Sequence, residues 1–306
     1  MKTISVHKRK SKVTPAEYAK VFNPKEHTFH DFIASMPNIL VAKDLSAFVD
    51  EIVSSRRKKK PVIAQIGAHV VKVGLAPLII DLMKCGVITC VAMNSAAAIH
   101  DVESSLWGKT SEDVEDNLKD GTFGMARETG DFINGRLNEG LVEDSAGYGE
   151  VLGKALQGSR NAKISILASA YKLKIPVTVH AAIGTDIIHQ QPTMSGAATG
   201  ELSFRDFKVL CNVVKDLRGG GVVMNVGSAV ILPEVFLKAL TVARNLGYKA
   251  NGFTTANFDM IQHYRPRMNV VSRPTKNGGK GYMFTGHHEI MIPLLCAMIK
   301  DKFRTR

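Results

Sequence analysis

The chain has 306 residues, of which 45% are hydrophobic and 22% charged, with a formal net charge of +12. That length builds one large domain or two small ones, and the composition is that of an ordinary soluble globular protein. No apolar run is long enough to span a bilayer, and the first ten residues lack the apolar core of a secretion signal, so a cytoplasmic location is expected. The four cysteines, Cys85, Cys90, Cys211 and Cys296, form no Cys-x-x-Cys pair and sit in apolar segments, as buried free thiols do. Much of the positive excess lies in two runs, Lys8-Arg9-Lys10-Ser11-Lys12 and Arg56-Arg57-Lys58-Lys59-Lys60. Such runs attract nucleic acid or acidic partners. These two lack interleaved aromatics and belong to no visible nucleic-acid module, so they read as a solvated tail and a solvated loop leading into a strand. Neither nucleic acid nor membrane is an expected partner.

In chain order, residues 1–40 read as a polar arm, with a helix-capping signature at Thr14-Pro15-Ala16-Glu17. Residues 41–306 read as a single domain. Leu45, Phe48, Val49 and Ile52 share one face of a helix over 44–55. A strand at 62–66, a turn at Gly67, a helix over 70–84 and a strand at 87–93 follow. The stretch 110–160 is rich in acids and glycine, and Thr110-Ser111-Glu112-Asp113 caps a further helix. Then come a helix at 159–173, a strand at 175–180, an irregular segment from Gly184 to Gly200, a helix at 203–217 and a strand at 222–226. A helix at 233–246, a strand at 249–256, a long loop over 262–281, a short strand at 282–285 and a helix at 288–300 complete the pattern. Alternating strands and helices predict an α/β fold: a Rossmann-like doubly wound parallel sheet with helices on both faces, which binds ligands at the carboxyl ends of its strands. That edge would gather His69, His100, His180, His189, His287 and His288.

Three constellations carry candidate chemistry. Gly67-Ala68-His69-Val70-Val71-Lys72-Val73-Gly74 joins a strand to a helix, where small residues let backbone N–H groups approach a phosphate and Lys72 adds charge; a simple tight turn reads equally well. Ser95 to Glu103 follows a strand and offers His100, Asp101 and Glu103, acids that either accept from ribose hydroxyls or favour a helix N-terminus. Asp186 and His189 share a helical face, and with His100 and His287 they could ring a metal ion, although no segment has an established zinc spacing.

At these motifs the chain resembles deoxyhypusine synthase, colinearly over most of residues 60–300. The family's Thr-Ser-Asn-x-x-Ser-Ser-Gly turn falls on Gly67 to Gly74, and its Thr-Ala-Gly-Gly-x-Glu-Glu-Asp loop on Ser95 to Val102, with Asp101 at an NAD-binding acid. Its Ile-Pro-Val strand falls on Ile175-Pro176-Val177 and its Gly-rich strand on Gly221 to Val230. Its Asn-Thr-Ala falls on Thr254-Thr255-Ala256 and its closing Pro-Leu-Leu on Pro293-Leu294-Leu295. The resemblance implies NAD as cofactor and a homotetramer with sites at a dimer interface. The departures fall on the chemistry. The family's Trp-Gly-Lys is absent, its lysine position lying near Thr275 and Lys276, and its Thr-Asp-Gly-Ser-x-Gly-Asp is replaced by Ile183 to His189. Its polyamine-contacting histidine is replaced near Leu232 and its Ala-Asp-Ala by Gly286-His287-His288.

The expectation is a deoxyhypusine synthase-like, NAD-dependent enzyme that oxidises a small amine and transfers an alkylamine group, but not to a translation factor. Lys276, or less directly Lys280, would hold the imine, and His189 or His287 would take the proton. NAD would lie against Ala68, His69 and Lys72, Ser95 and Asp101, and Thr255 and Ala256, three groups expected at strand ends. His189 and His287 would then lie near each other and near Lys276. The alternatives are a metal-dependent hydrolase around His100, Asp186, His189 and His287, and a non-catalytic nucleotide-binding homologue.

Overall fold

A computed structural model describes residues 1–142 and 145–304. Six strands form one sheet in the order β3-β2-β1-β4-β5-β6, and every pairing is parallel. They are β1 (Val62–Ile66), β2 (Cys90–Asn94), β3 (Val177–His180), β4 (Val222–Val226), β5 (Thr254–Asp259) and β6 (Lys280–Thr285). The order runs outward from β1 in one direction and from β4 in the other, so the strand order reverses between them, the arrangement of dinucleotide-binding sheets. The helices are α1 (Phe29–Ser35), α2 (Leu40–Arg57), α3 (Ala68–Lys72), α4 (Ala76–Lys84), α5 (Ser95–Trp107), α6 (Val114–Leu118) and α7 (Arg127–Val142). After them come α8 (Tyr148–Ala155), α9 (Ile166–Leu173), α10 (Gly196–Val214), α11 (Ile231–Asn245), α12 (Tyr264–Pro266) and α13 (His288–Arg304).

β1 and β4, at the centre of the sheet, are valine- and isoleucine-rich and buried on both faces, as parallel strands covered by helices must be. Within β1 the two-residue period sorts the side chains: Val62, Ala64 and Ile66 join the core under α2, α5 and α13, whereas Ile63 joins a second core under α10 and α11. β6 is the edge and mostly exposed; Phe284 is its one fully buried residue, stacked on Phe258 at 4.7 Å. Among the described residues no helix is long and apolar enough to cross a membrane. α1 is tied to α13 by His30 and Asp301 at 2.8 Å, and residues 1–15 ahead of it are exposed throughout.

Several sequence expectations change. The helix expected over 70–84 is two helices, because Gly74 adopts φ +80° and Pro77 opens a new first turn. β5 begins at Thr254 rather than near 249, since Gly252 at φ +67° breaks the chain just before it. The loop expected over 262–281 contains α12 and a π-helical turn, Arg267–Ser272. Cys90 and Cys296 are buried, but Cys85 is exposed at the end of α4 and Cys211 is half-buried.

Candidate active site

The carboxyl ends of β1 and β4 touch where the strand order reverses. Gly67 N donates to Val226 O at 2.9 Å, and a Cβ on Gly67 would lie 2.2 Å from Gly227 O. Glycine is therefore required at 67 by space. At 227 it is required by φ +70° and by the His288 ring, which a Cβ there would meet at 2.8 Å. His288 is buried; its Nε2–H donates to Phe258 O at 3.0 Å, which leaves Nδ1 without a partner. Its ring lies 5.5 Å from that of His69. Beyond β4, Asn225 donates to Asn257 at 2.7 Å, Asn257 to Gln262 at 2.7 Å, and Gln262 to Phe284 O at 3.1 Å, lacing three strand ends together.

A pocket of about 760 Å³ opens beside this seam, over the β1–β3 half. Its wall comes from α3, α5, the acidic connection 108–126 and the loop after β3, and includes Lys72, Ala96, His100, Glu103, Trp107 and Asp186. The acidic connection contributes Glu112, held by Gly124 N at 2.9 Å. In all, four carboxylates (Glu103, Glu112, Glu128 and Asp186) face two lysines, Lys72 and Lys109.

One hydrogen-bond chain in this wall fixes a proton. Thr110 Oγ1 lies 2.5 Å from Glu103 Oε2, and Glu103 Oε1 accepts from Thr129 at 2.9 Å. A carboxylate only accepts, so the Thr110 hydroxyl donates to it and must accept from His100 Nδ1, 2.7 Å away. His100 therefore carries its proton on Nδ1, and Nε2 keeps its lone pair. Burial pulls the His100 pKa down, with Glu103 opposing, so the ring is neutral near pH 7. Asp186 accepts from Ser95 Oγ, and burial raises its pKa. His189 Nδ1 accepts from Gly184 N and Asp186 N, each at 3.2 Å, so its proton sits on Nε2, which is buried without a partner.

The residues singled out in the sequence are scattered over both ends and both edges of the sheet. Lys72, and Ser95 through its bond to Asp186, belong to the pocket, while Ala68 and His69 lie at the β1 end beside the seam. His189 follows β3 and His287 follows β6, the two opposite edges of the sheet. Five strand spacings separate those edges, about 24 Å. Within one chain these histidines share no cleft, and His287, 63% exposed in its side chain, faces Glu289 at 3.7 Å. Lys276 lies in the turn before β6, at the amino end of the sheet, away from both; Lys280 opens β6 and pairs with Glu51 at 2.6 Å. Thr255 and Ala256 are fully buried near the start of β5, not at its carboxyl end.

Asp101 is also relocated. It is fully buried and accepts from Ser165 Oγ (2.5 Å), Ile166 N (2.7 Å) and Leu167 N (3.1 Å), anchoring the start of α9; burial lifts its pKa to about 6. It has no face left for a ribose. The metal alternative loses its geometry with His287, and among the described residues no group of three or more His, Cys, Asp or Glu side chains is placed to hold an ion. The His100–Thr110–Glu103 chain is absent from the sequence expectations. Its one signal there is the spacing of His100 and Glu103, three residues apart on one helical face.

The sequence matches no family profile and no curated protein. Solved structures do share the fold. A presumed deoxyhypusine synthase from Entamoeba histolytica superposes with TM-score 0.54 at 10% identity, covering 91% of this chain and 96% of that one. A presumed LOR/SDH protein from Methanococcus maripaludis S2 gives 0.53 at 15% identity, covering 85% and 70%. AgrE, in a ternary complex with ornithine and NAD+, gives 0.54 at 12% identity over 86% of this chain. This chain spans about a third of the AgrE chain (33%). The fold is thus that of a deoxyhypusine synthase-like, Rossmann-type sheet.

Proposed function

We propose that the chain is a NAD-dependent enzyme that oxidises a small amine, working at the pocket beside the β1–β4 seam. The observation that carries the reading is the His100–Thr110–Glu103 chain, which presents an unprotonated Nε2 in a wall richer in carboxylates than in lysines. The AgrE complex, which holds ornithine and NAD+ in a protein of which this chain spans about a third, supports it.

The pocket's residues fit the dinucleotide. Its volume is within the range of small-molecule sites. Trp107 offers a flat face for a ring, Lys72 and Lys109 supply charge for a pyrophosphate, and Glu128 is exposed for ribose hydroxyls. Bound NAD+ would supply a hydride acceptor. The chain's own residues would do the rest. The carboxylates of Glu103 and Asp186 favour a substrate ammonium group over a neutral one. His100 Nε2 takes one ammonium proton, and the freed lone pair on nitrogen then forms the C=N bond as hydride leaves the adjacent carbon. The new imidazolium is stabilised through Thr110 by Glu103. Alkylamine transfer, which the resemblance implies, would use Lys72 as imine acceptor, since Lys72 lines the pocket and its charge reaches His100. A homo-oligomer, tetrameric in the manner of the resembled family, would cover Met260, Ile261, Tyr264 and Ile290, apolar side chains exposed beyond β5 and β6.

The test incubates the full chain with NAD+ and a series of amines, from monoamines through ornithine to polyamines, and follows NADH absorbance. NADH with at least one amine, lost in His100→Ala, is the expected result. No NADH with any amine, together with no NAD+ binding at millimolar concentration, would contradict the proposal.

A further inference from the structure

The opposite edge of the sheet has a different composition. The connections that lead into the six strands, taken with the last residues of the helices before them and the first residue of β6, are residues 56–61, 84–89, 172–176, 215–221, 244–253 and 273–280. Together they hold fifteen lysines and arginines and one acid, Asp216. That surplus exceeds the formal net charge of the whole chain, +12. Read along the sequence, only Arg56 to Lys60 stands out as a run; the parallel sheet brings the remainder beside it, because every strand enters from the same edge.

The connections are physically joined. Arg56 Nε donates to Cys85 O at 3.1 Å, linking the loops into β1 and β2. Lys58 passes beside Gly220, where a Cβ would lie 3.5 Å from its Cδ, linking β1 to β4. Gly219 N donates to Asn251 O at 3.1 Å, and Arg244 donates to Pro274 O at 3.2 Å, carrying the row on to β5 and β6. Few of these charges are neutralised nearby; Lys280 with Glu51 is the exception the geometry shows most clearly. Like charges crowded in this way repel one another unless a polyanion meets them.

We propose that this amino edge binds the phosphodiester backbone of a nucleic acid, without reading its sequence. The charges lie along a row about 24 Å long, five strand spacings, rather than at one point. A nucleic acid presents phosphates at short, regular intervals along such a row. Tyr248, exposed and with Lys215 Nζ 5.4 Å from its ring centre, offers a stacking face for a base. An anionic bilayer matches less well. Surface binding to membranes adds inserted apolar side chains; at this edge Leu173 and Leu246 are the exposed aliphatic ones among the described residues, and they sit on separate connections, whereas Ile183, Met260, Ile261 and Ile290 stand exposed at the other edge.

The test is fluorescence anisotropy of the full chain with labelled 20-mers of RNA and of DNA, single- and double-stranded, at 50 and 200 mM salt. The variant is Arg57→Glu/Arg218→Glu/Lys249→Glu, three exposed cations on neighbouring connections. Its control is Lys8→Ser/Lys10→Ser/Lys12→Ser in the arm. Binding to at least one nucleic acid that weakens roughly 10³-fold between the two salt concentrations, as neutralising about six phosphates requires, is expected. The edge variant should weaken it tenfold or more at 50 mM, with the same melting temperature as wild type, and the arm variant should do much less. Three results would overturn the proposal: no binding at 50 mM salt, equal loss from the arm variant alone, or tighter binding to polyglutamate or to phosphatidylserine vesicles than to any of the oligonucleotides.

Discussion

The two edges of this sheet are built from the same strands yet carry opposite chemistry. At the carboxyl edge, acids are drawn into hydrogen-bond chains. Glu103 holds Thr110 and Thr129, Asp186 holds Ser95, and the connection 108–126 supplies five acids against two lysines. At the amino edge, cations stand mostly exposed, and the connections that carry them hold only one acid. Partners at the first edge are enclosed, few and directional, so single residues there decide function. At the second they are spread and solvated, so charge acts collectively and no one residue matters much.

That contrast is sharpest in activity. His100→Ala should lower amine-dependent NADH formation by about 10²–10⁴-fold, the range of a lost general base, while Lys276→Ala on the amino edge should change it less than twofold. Steady-state rates on both variants check this; equal losses would erase the distinction. The rate of wild type should hold level at neutral pH and fall only as pH drops below the ordinary histidine value of 6.5, since burial lowers the His100 pKa.

Stability comes next in size. Asp101→Ala removes the acceptor for Ser165, Ile166 and Leu167 at the start of α9 and leaves buried donors behind, at a cost of about 2–4 kcal/mol in urea unfolding. Neutralising Lys249 or Lys276 should stay within about 0.5 kcal/mol.

A smaller effect separates buried groups by pH. Asp206 takes Gly149 N and Val179 N on one oxygen, and burial lifts its pKa to about 8 from the ordinary 3.8. The folded state therefore holds more protons than the unfolded one between these values, and stability falls as pH rises through them. His180, pushed down to about 3 from 6.5 by burial, has the opposite sign: folding sheds its proton, so stability rises with pH up to about 6.5. From pH 6.5 to 8 the Asp206 effect continues after that of His180 has ended, at no more than about 1.4 kcal/mol per pH unit. Asp206→Asn keeps an acceptor for both amides and should flatten that limb; an unchanged slope in urea titrations would place the charge elsewhere.

The fold is legible in the sequence because short apolar strands, valine- and isoleucine-rich at the centre of the sheet, alternate with capped helices, and β1 and β4 fall at their expected residues. Strand order is not legible, since nothing local in a sequence says which strand lies at an edge. That is why His189 and His287, which do follow strand ends, are expected together and stand apart. The position of Lys276 rests on the colinear resemblance, which has no sight of which end of β6 its loop meets. Thr255 and Ala256 shift because Lys249 to Phe253 looks strand-like until Gly252 turns the chain. Thr110 reads as a helix cap, and only the fold shows it bridging His100 to Glu103. The basic edge is half visible, as one run whose five companions lie far away in sequence.

The most direct test of the central claim is calorimetric titration of NAD+ into wild type and into a Lys72→Ala/Trp107→Ala variant, both side chains lining the pocket. Saturable binding by wild type, weakened at least tenfold in the variant and unchanged in Arg57→Glu/Arg218→Glu/Lys249→Glu, is the result predicted. Binding that survives the pocket variant but fails in the amino-edge variant would contradict the account.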